Sequence, residues 1–361
     1  MRFSDVLDIR NGRNQRQVEN ENGKYPIYGS GGVIGHADNF ICDAETVVIG
    51  RKGSINNPIF VDEPFWNVDT AFGLVANKEV LLPKYLYYFC VNYNFEQLNT
   101  TVTIPSLTKA NLLQIEIRVP DMDIQQNIVN VLDKICYLID VRRKELYSLD
   151  QLVKSRFVEM FGHQSHNEKS LPYMTINDVA EIYLGITHTS TYVEDGVMFI
   201  SAKNTSGDFL DLSDVKYISR EEFENAPKGS KPQVNDVLFS RVGSNLGHPV
   251  ILRENLELCT FVSLGFLRTK GKVTSNYLKH WMRDDFFAKQ VSEHVKGGGQ
   301  PNLNTGWLKE FKIIVPDLEQ QKKFDVFCEQ TDKSKYRQEK CIGFFQCFEK
   351  VLDRSGYDVE F

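Results

Sequence analysis

The chain holds 361 residues, 42% of them hydrophobic and 25% charged, with a formal charge of −6 from 42 Lys and Arg against 48 Asp and Glu. That composition excludes wholesale disorder, and the length implies about two domains at roughly 100–200 residues each. The acidic balance argues against a simple basic DNA-binding domain, because neutralising phosphates supplies much of such a domain's affinity.

In chain order, Met1-Arg2-Phe3-Ser4-Asp5-Val6-Leu7-Asp8 carries no apolar signal core. No later run approaches the ~18 apolar residues of a membrane helix, so a cytoplasmic location is expected. Seven cysteines without a C-x-x-C pair point to free thiols in a reducing compartment. The apolar run Val47-Val48-Ile49, closed by Gly50-Arg51-Lys52-Gly53-Ser54, predicts a strand and a turn. A short helix is expected over Pro83–Asn92. Ile115-Glu116-Ile117-Arg118-Val119 alternates with period two and ends at Pro120-Asp121. From residue 121 to 161 neither Pro nor Gly interrupts. Ile128, Leu132, Ile135, Ile139, Arg142, Leu146, Leu149, Val153, Arg156 and Met160 fall at alternating spacings of four and three, as a coiled-coil seam requires, and Gly162 supplies a stop. At ~1.5 Å per residue, such a helix is a rod of roughly 60 Å.

The same order then recurs. Asp5-Val6-Leu7-Asp8-Ile9 matches Asp178-Val179-Ala180-Glu181-Ile182, with Gly12 on Gly185. Arg51-Lys52-Gly53-Ser54 matches Arg241-Val242-Gly243-Ser244, and Ile104-Pro105-Ser106-Leu107 matches Gln300-Pro301-Asn302-Leu303. Val119-Pro120-Asp121 matches Val315-Pro316-Asp317, and Gln125-Gln126 aligns with Gln320-Gln321. The offset drifts from 173 at Asp5 and Asp178 to 190 at Arg51 and Arg241 and 196 at Pro120 and Pro316. The second copy is therefore longer by about seventeen residues between the segments at 28 and 47. One fold used twice, with loop insertions, gives such a drift.

The expected layout is a globular domain over 1–120, a long helix over 121–162, a second globular domain over 163–316, a long helix over 317–355 and a tail over 356–361. The fold class is α+β: two similar mixed α/β domains, each followed by a long helix, the helices pairing as an antiparallel coiled coil with pseudo-two-fold symmetry. The second seam is expected at Phe324, Phe327, Thr331, Ser334, Gln338, Cys341, Phe345, Phe348 and Leu352, with a polar middle. A short helix is also expected near Ser275–Met282.

No catalytic constellation emerges. Asn57-Pro58-Ile59-Phe60 departs from an amino-methyltransferase motif at its third position, and no cofactor loop accompanies it. Gly29-Ser30-Gly31-Gly32-Val33-Ile34-Gly35 matches neither a dinucleotide fingerprint nor a P-loop. His163-x-x-His166 reads as a linker rather than a metal site. The loops that look suited to an extended polar ligand come in equivalent pairs. Arg51, Lys52, Gly53, Ser54 and Asn56 pair with Arg241, Gly243, Ser244 and Asn245; Thr103 and Ser106 pair with Lys296, Gln300, Asn302 and Asn304. Arg suits guanine and Asn or Gln adenine, while Lys, Ser and Thr suit phosphates. Neither domain is basic overall: residues 1–120 carry 11 basic and 13 acidic side chains, residues 163–316 carry 17 and 18. Either basic residues cluster on one face or a partner supplies charge.

Over almost its full length the chain resembles the specificity (S) subunit of type I restriction–modification enzymes. The resemblance is carried by the duplicated domain–helix plan, the Arg-x-Gly-Ser turns, and the segments ending Ile117-Arg118-Val119-Pro120-Asp121 and Ile313-Ile314-Val315-Pro316-Asp317, each followed by Gln-Gln and a long helix. Gly299-Gln300-Pro301-Asn302-Leu303 and Tyr25-Pro26-Ile27-Tyr28-Gly29-Ser30-Gly31-Gly32 also look like the family's segments. The resemblance implies two target-recognition domains, each reading one half of a split double-stranded DNA sequence. It implies helices that set the spacing and dock two methyltransferase (modification) subunits, with restriction/translocase subunits joining them. S-adenosylmethionine, ATP and Mg would then be bound by those partners and no cofactor or metal by this chain, which would not itself be an enzyme. A standalone DNA methyltransferase with its own recognition domain and a two-headed protein-interaction scaffold remain the alternatives.

Overall fold

A computed structural model describes residues 1–98, 106–188, 190–243, 245–294 and 301–354, with side chains through residue 345. The chain divides into two compact units, Met1–Lys144 with Gln338–Phe361, and Glu145–Arg337.

The first unit runs α1 (Phe3–Val6), β1 (Leu7–Asn11), β2 (Tyr25–Gly29), β3 (Gly32–Ala37), β4 (Thr46–Gly50), β5 (Ile59–Val61), β6 (Trp66–Asn67), β7 (Ala71–Ala76), α2 (Pro83–Asn92) and α3 (Lys109–Leu112). It also takes the N-terminal part of the helix α4 (Met122–Phe161). Its main sheet has the order β1-β7-β4-β5, antiparallel throughout. β1 buries Leu7 and Ile9 and exposes Asp8 and Arg10, the period-two pattern of a strand with one solvated face. β4 is buried at all five positions, which is why its sequence is a continuous apolar run. A smaller sheet, β3-β2-β6, pairs β2 with β6 in parallel. Phe3, Val47, Leu74, Leu86 and Leu112 form one core with Ile128, Val129 and Leu132 of α4.

The second unit holds the rest of α4, then β8 (Tyr173–Thr175), α5 (Ile176–Val179), β9 (Ala180–Leu184), β10 (Tyr192–Val193), β11 (Val197–Ile200), β12 (Lys216–Ile218), α6 (Arg220–Asn225), β13 (Val237–Ser240), β14 (Pro249–Ile251), β15 (Leu258–Thr260) and β16 (Leu264–Thr269). α7 (Ser275–Met282), α8 (Asp285–His294), α9 (Thr305–Glu310), β17 (Lys312–Ile314) and α10 (Leu318–Arg354) follow, α10 passing into the first unit after Arg337. Its main sheet, β9-β16-β13-β14, repeats the first in order and direction. A second sheet, β10-β12-β11-β15, again contains one parallel pair, β11 with β15. β12 pairs with β11 as β3 does with β2, so the expected insertion falls mainly in the link from Ile200 to Lys216, which replaces the short turn from Gly29 to Gly32.

Equivalent hydrogen bonds confirm that the repeat is structural. The Phe3 N–H donates to the Ile115 carbonyl at 2.9 Å, and the Ile176 N–H to the Phe311 carbonyl at 2.9 Å. The Tyr85 hydroxyl donates to the Arg118 carbonyl at 3.0 Å, the Tyr277 hydroxyl to the Ile314 carbonyl at 2.6 Å. One alignment needs correction. The glutamine equivalent to Gln125 is Gln321, not Gln320: Gln125 and Gln321 are wholly buried, while Gln126 and Gln320 face solvent.

Within the second unit the two long helices pack antiparallel. The Phe157 and Phe324 rings lie 5.5 Å apart, and farther along Lys335 of α10 binds Asp150 of α4. Both seams depart from the spacing read in the sequence. α4 buries Phe157 and Phe161 in place of Arg156 and Met160; α10 buries Cys328 and Lys335 more deeply than Phe327 and Ser334. A straight α-helix has 3.6 residues per turn, so its buried stripe drifts off a strict 3.5-residue seam by about 20° per heptad. Gly162, in the left-handed region at φ +75°, ends α4, its N–H donating to the Val158 carbonyl at 2.7 Å.

Candidate nucleic-acid interface

In each unit two strands of the main sheet end at the same edge. β1 and β4 flank β7 and run antiparallel to it, so both finish where β7 begins. The segment entering β7 holds the two loops that leave there. The Arg13 N–H donates to the Asn67 carbonyl at 2.8 Å, and the Arg51 N–H to the Thr70 carbonyl at 2.8 Å. The Trp66 indole N–H donates to the Arg13 carbonyl at 3.0 Å. A third segment joins them: the Leu107 N–H donates to the Arg51 carbonyl at 2.9 Å, and Lys52 and Ser106 form an antiparallel bridge. Gly53 turns the loop at φ +78°, and Arg51, Lys52, Gly53 and Ser54 stand exposed.

The second unit builds the same crossing. β9 and β13 flank β16. The Arg241 N–H donates to the Ser263 carbonyl at 2.8 Å, the Leu303 N–H to the Arg241 carbonyl at 2.8 Å, and Val242 bridges Asn302. Gly243 turns at φ +97°. The predicted residues Arg51, Lys52, Gly53, Ser54 and Ser106 are thus brought together, as are Arg241, Gly243 and Asn302. Thr103, Ser244, Lys296 and Gln300 lie outside the described residues.

The two arginines differ. Arg51 is exposed, its guanidinium 5.7 Å from the centre of the Phe72 ring. Arg241 is half-buried, and burial lowers its pKa. It donates to the carbonyl oxygens of Val262 at 3.0 Å and Leu303 at 3.4 Å, and to Asn302 Oδ1 at 3.5 Å. It therefore ties three segments together. Asn56 is exposed but engaged, its Oδ1 accepting the Phe95 N–H at 2.8 Å. Asn304 caps α9, accepting the Gly306 N–H at 2.7 Å. Asn245 is exposed, and its carbonyl accepts the Ser240 hydroxyl.

The loop after β1 was not among the predicted site residues. A signal was present: Arg10-Asn11-Gly12-Arg13-Asn14-Gln15-Arg16-Gln17 has three arginines and no acidic residue.

The family profile described as type I restriction modification DNA specificity domain matches residues 1–151 and 168–339. The chain belongs to this family. It is 27% identical over 313 residues to a putative type I restriction enzyme specificity subunit of Haemophilus influenzae, covering 83% of this chain and 78% of the relative. It is 20% identical over 306 residues to the type I restriction enzyme MjaVIII specificity subunit of Methanocaldococcus jannaschii, covering 78% and 68%. Its fold is similar to the crystal structure of a type I restriction–modification S subunit from M. genitalium, with a TM-score of 0.61 and 16% identity over 98% of this chain and 94% of that one.

Proposed function

We propose that this specificity subunit reads a bipartite duplex, each unit's loop crossing contacting one half-site. One observation carries the reading: the same three-segment crossing is built twice at the same sheet edge, around Arg51 with Ser106–Leu107 and around Arg241 with Asn302–Leu303. In the first unit Arg51 and Lys52 present cations to the duplex, with Ser54 and Ser106 beside them for phosphates, and Thr103 is a further phosphate-contacting residue. In the second, Arg241 positions Asn302, and Asn245, Ser244, Lys296, Gln300 and Asn304 belong to the loops that reach the duplex. Asn56 acts from behind by fixing its own loop.

In this reading the chain is non-catalytic. Two methyltransferase subunits dock on the long helices, which also act as the spacer between half-sites, and restriction/translocase subunits join the assembly. S-adenosylmethionine, ATP and Mg belong to those partners, and the complex works inside the cell. Mapping methylated sites in DNA from cells that carry the whole system tests this. Arg51→Ala with Lys52→Ala should alter one half-site and leave the other intact. Equal loss at both half-sites, or methyl transfer by the purified chain alone, overturns the reading.

A further inference from the structure

The segment Arg13–Gln17 is placed like a binding element. Gly12 leaves β1 so close to the neighbouring chain that a Cβ there would lie 1.7 Å from the Val68 carbonyl oxygen. The backbone is then fixed by Asn67 and Trp66, by an Asn14 Oδ1 that accepts the Arg16 N–H at 2.9 Å, and by a Gln15 carbonyl that accepts the Val18 N–H at 2.9 Å. Arg10 is engaged by Asp8 at 3.2 Å. Arg13 and Arg16 are exposed, and among the described residues their guanidinium groups make no hydrogen bond or ion pair. Two unengaged guanidinium groups thus project from a pinned loop at the sheet edge that also carries Arg51. The second unit has the same turn, with a Cβ at Gly185 lying 2.2 Å from the Phe261 carbonyl oxygen. From Gly185 to Ser190, however, the sequence holds neither Lys nor Arg.

We propose that Arg13 and Arg16 are further DNA-contacting residues of the first unit, binding guanine edges or phosphates of its half-site, with no lysine or arginine counterpart in the matching loop of the second unit. This rests on the reading of the loop crossings as a DNA interface. Arginine's planar fork suits both guanine O6/N7 and phosphate oxygens. The asymmetry supplies a physical reason for one fold, used twice, to read unlike half-sites.

The test uses the complex assembled with its modification subunits and the duplex found by methylation mapping. Arg13→Ala with Arg16→Ala should weaken binding at least tenfold. If the arginines hold phosphates, the dependence of log K on log salt becomes shallower by about one per arginine, and Arg→Lys at both positions largely restores binding. If they read guanine, recognition relaxes at a G·C pair of one half-site, and Arg→Lys does not restore it. Unchanged affinity, salt slope and methylation pattern in the double variant overturn the proposal while the Arg51 reading stands. Loss spread equally over both half-sites also overturns it. A wild-type complex with no half-site preference removes the interface reading, and this proposal with it.

Discussion

Gln125 and Gln321 make the same three hydrogen bonds at equivalent points of the two units. Gln125 Nε2 donates to the carbonyls of Val80 and Pro120, each at 2.8 Å, and its Oε1 accepts the Leu82 N–H at 2.8 Å. Gln321 Nε2 donates to the carbonyls of Lys272 and Pro316, and its Oε1 accepts the Thr274 N–H. Each amide joins the start of a long helix to the start of the short helix beside it, α2 or α7. Gln125→Leu should destabilise the protein by about 2–4 kcal/mol, because the substitution strands buried backbone groups. Gln126→Ala, on the exposed neighbour, should stay within about 0.5 kcal/mol. Denaturant titrations of both variants check this, and equal effects would refute the clamp.

Gly12 and Gly31 offer a second contrast. The Gly12 Cβ position is occupied by the Val68 carbonyl, whereas a Cβ at Gly31 meets nothing within 4 Å. Gly12→Ala should cost about 2 kcal/mol or more and displace the arginine loop, while Gly31→Ala should be close to neutral. Melting temperatures of the two variants decide it.

Much of this architecture was legible because it rests on patterns that survive translation into structure. The repeat, the short helices at Pro83–Asn92 and Ser275–Met282, and both long helices follow from apolar spacing and from Pro and Gly placement. Which of two adjacent glutamines turns inward was not legible, because Gln125 and Gln126 are chemically identical and only the register of a turn separates them. Lys335 was missed at the seam for a related reason: a lysine reads as solvated until a carboxylate from a distant insertion, Asp208, comes to meet it. Arg241 read as a free cation because sequence cannot show the three backbone segments that converge on it. The Arg13–Arg16 loop was readable from composition, but its pinned backbone was not.

Lys335 is 2% exposed and binds Asp208 at 2.9 Å, while Arg283 binds the same carboxylate at 2.7 Å. Burial pushes the Asp208 carboxyl up, but Arg283, Lys335 and Lys279 outweigh it and hold the group well below the usual carboxylate range. A depressed carboxyl stabilises the fold above its unfolded value, about 3.9, and the contribution disappears as pH falls through the folded value. Asp208→Asn should therefore cost about 2–3 kcal/mol at pH 7 and flatten the loss of stability between about pH 4 and pH 2. An unchanged acid limb in denaturation curves would sink this account.

A heptad inserted after Leu146 tests the spacer role proposed for α4. The insertion adds about 10 Å of helix at ~1.5 Å per residue. If α4 sets the spacing, the methylated sequence should show a longer gap between half-sites, with each half-site unchanged. An unaltered gap would mean that α4 does not determine the distance.

Lys279 also has a depressed pKa, but at pH 7 its depression costs stability where that of Asp208 adds it. It is 3% exposed in α7, and burial first, then the nearby Arg283, pull its pKa down to about 8, against the partial support of Asp332 and Asp208. An unfolded lysine titrates near 10.4, so folding disfavours the charged amine relative to the unfolded chain, although the group is still protonated at pH 7. At pH 7 the charged amine costs stability. As pH rises from about 8 toward 10.4 the folded form sheds its proton first, and stability contributed by this group increases. Lys279→Met keeps the aliphatic stem and removes the charge. The variant should be about 1–3 kcal/mol more stable than the parent at pH 7, and the difference should shrink to nothing near pH 10.5. Urea titrations at pH 7, 9 and 10.5 measure this directly. A variant less stable than the parent at pH 7 would show that the ammonium has a partner strong enough to offset its burial.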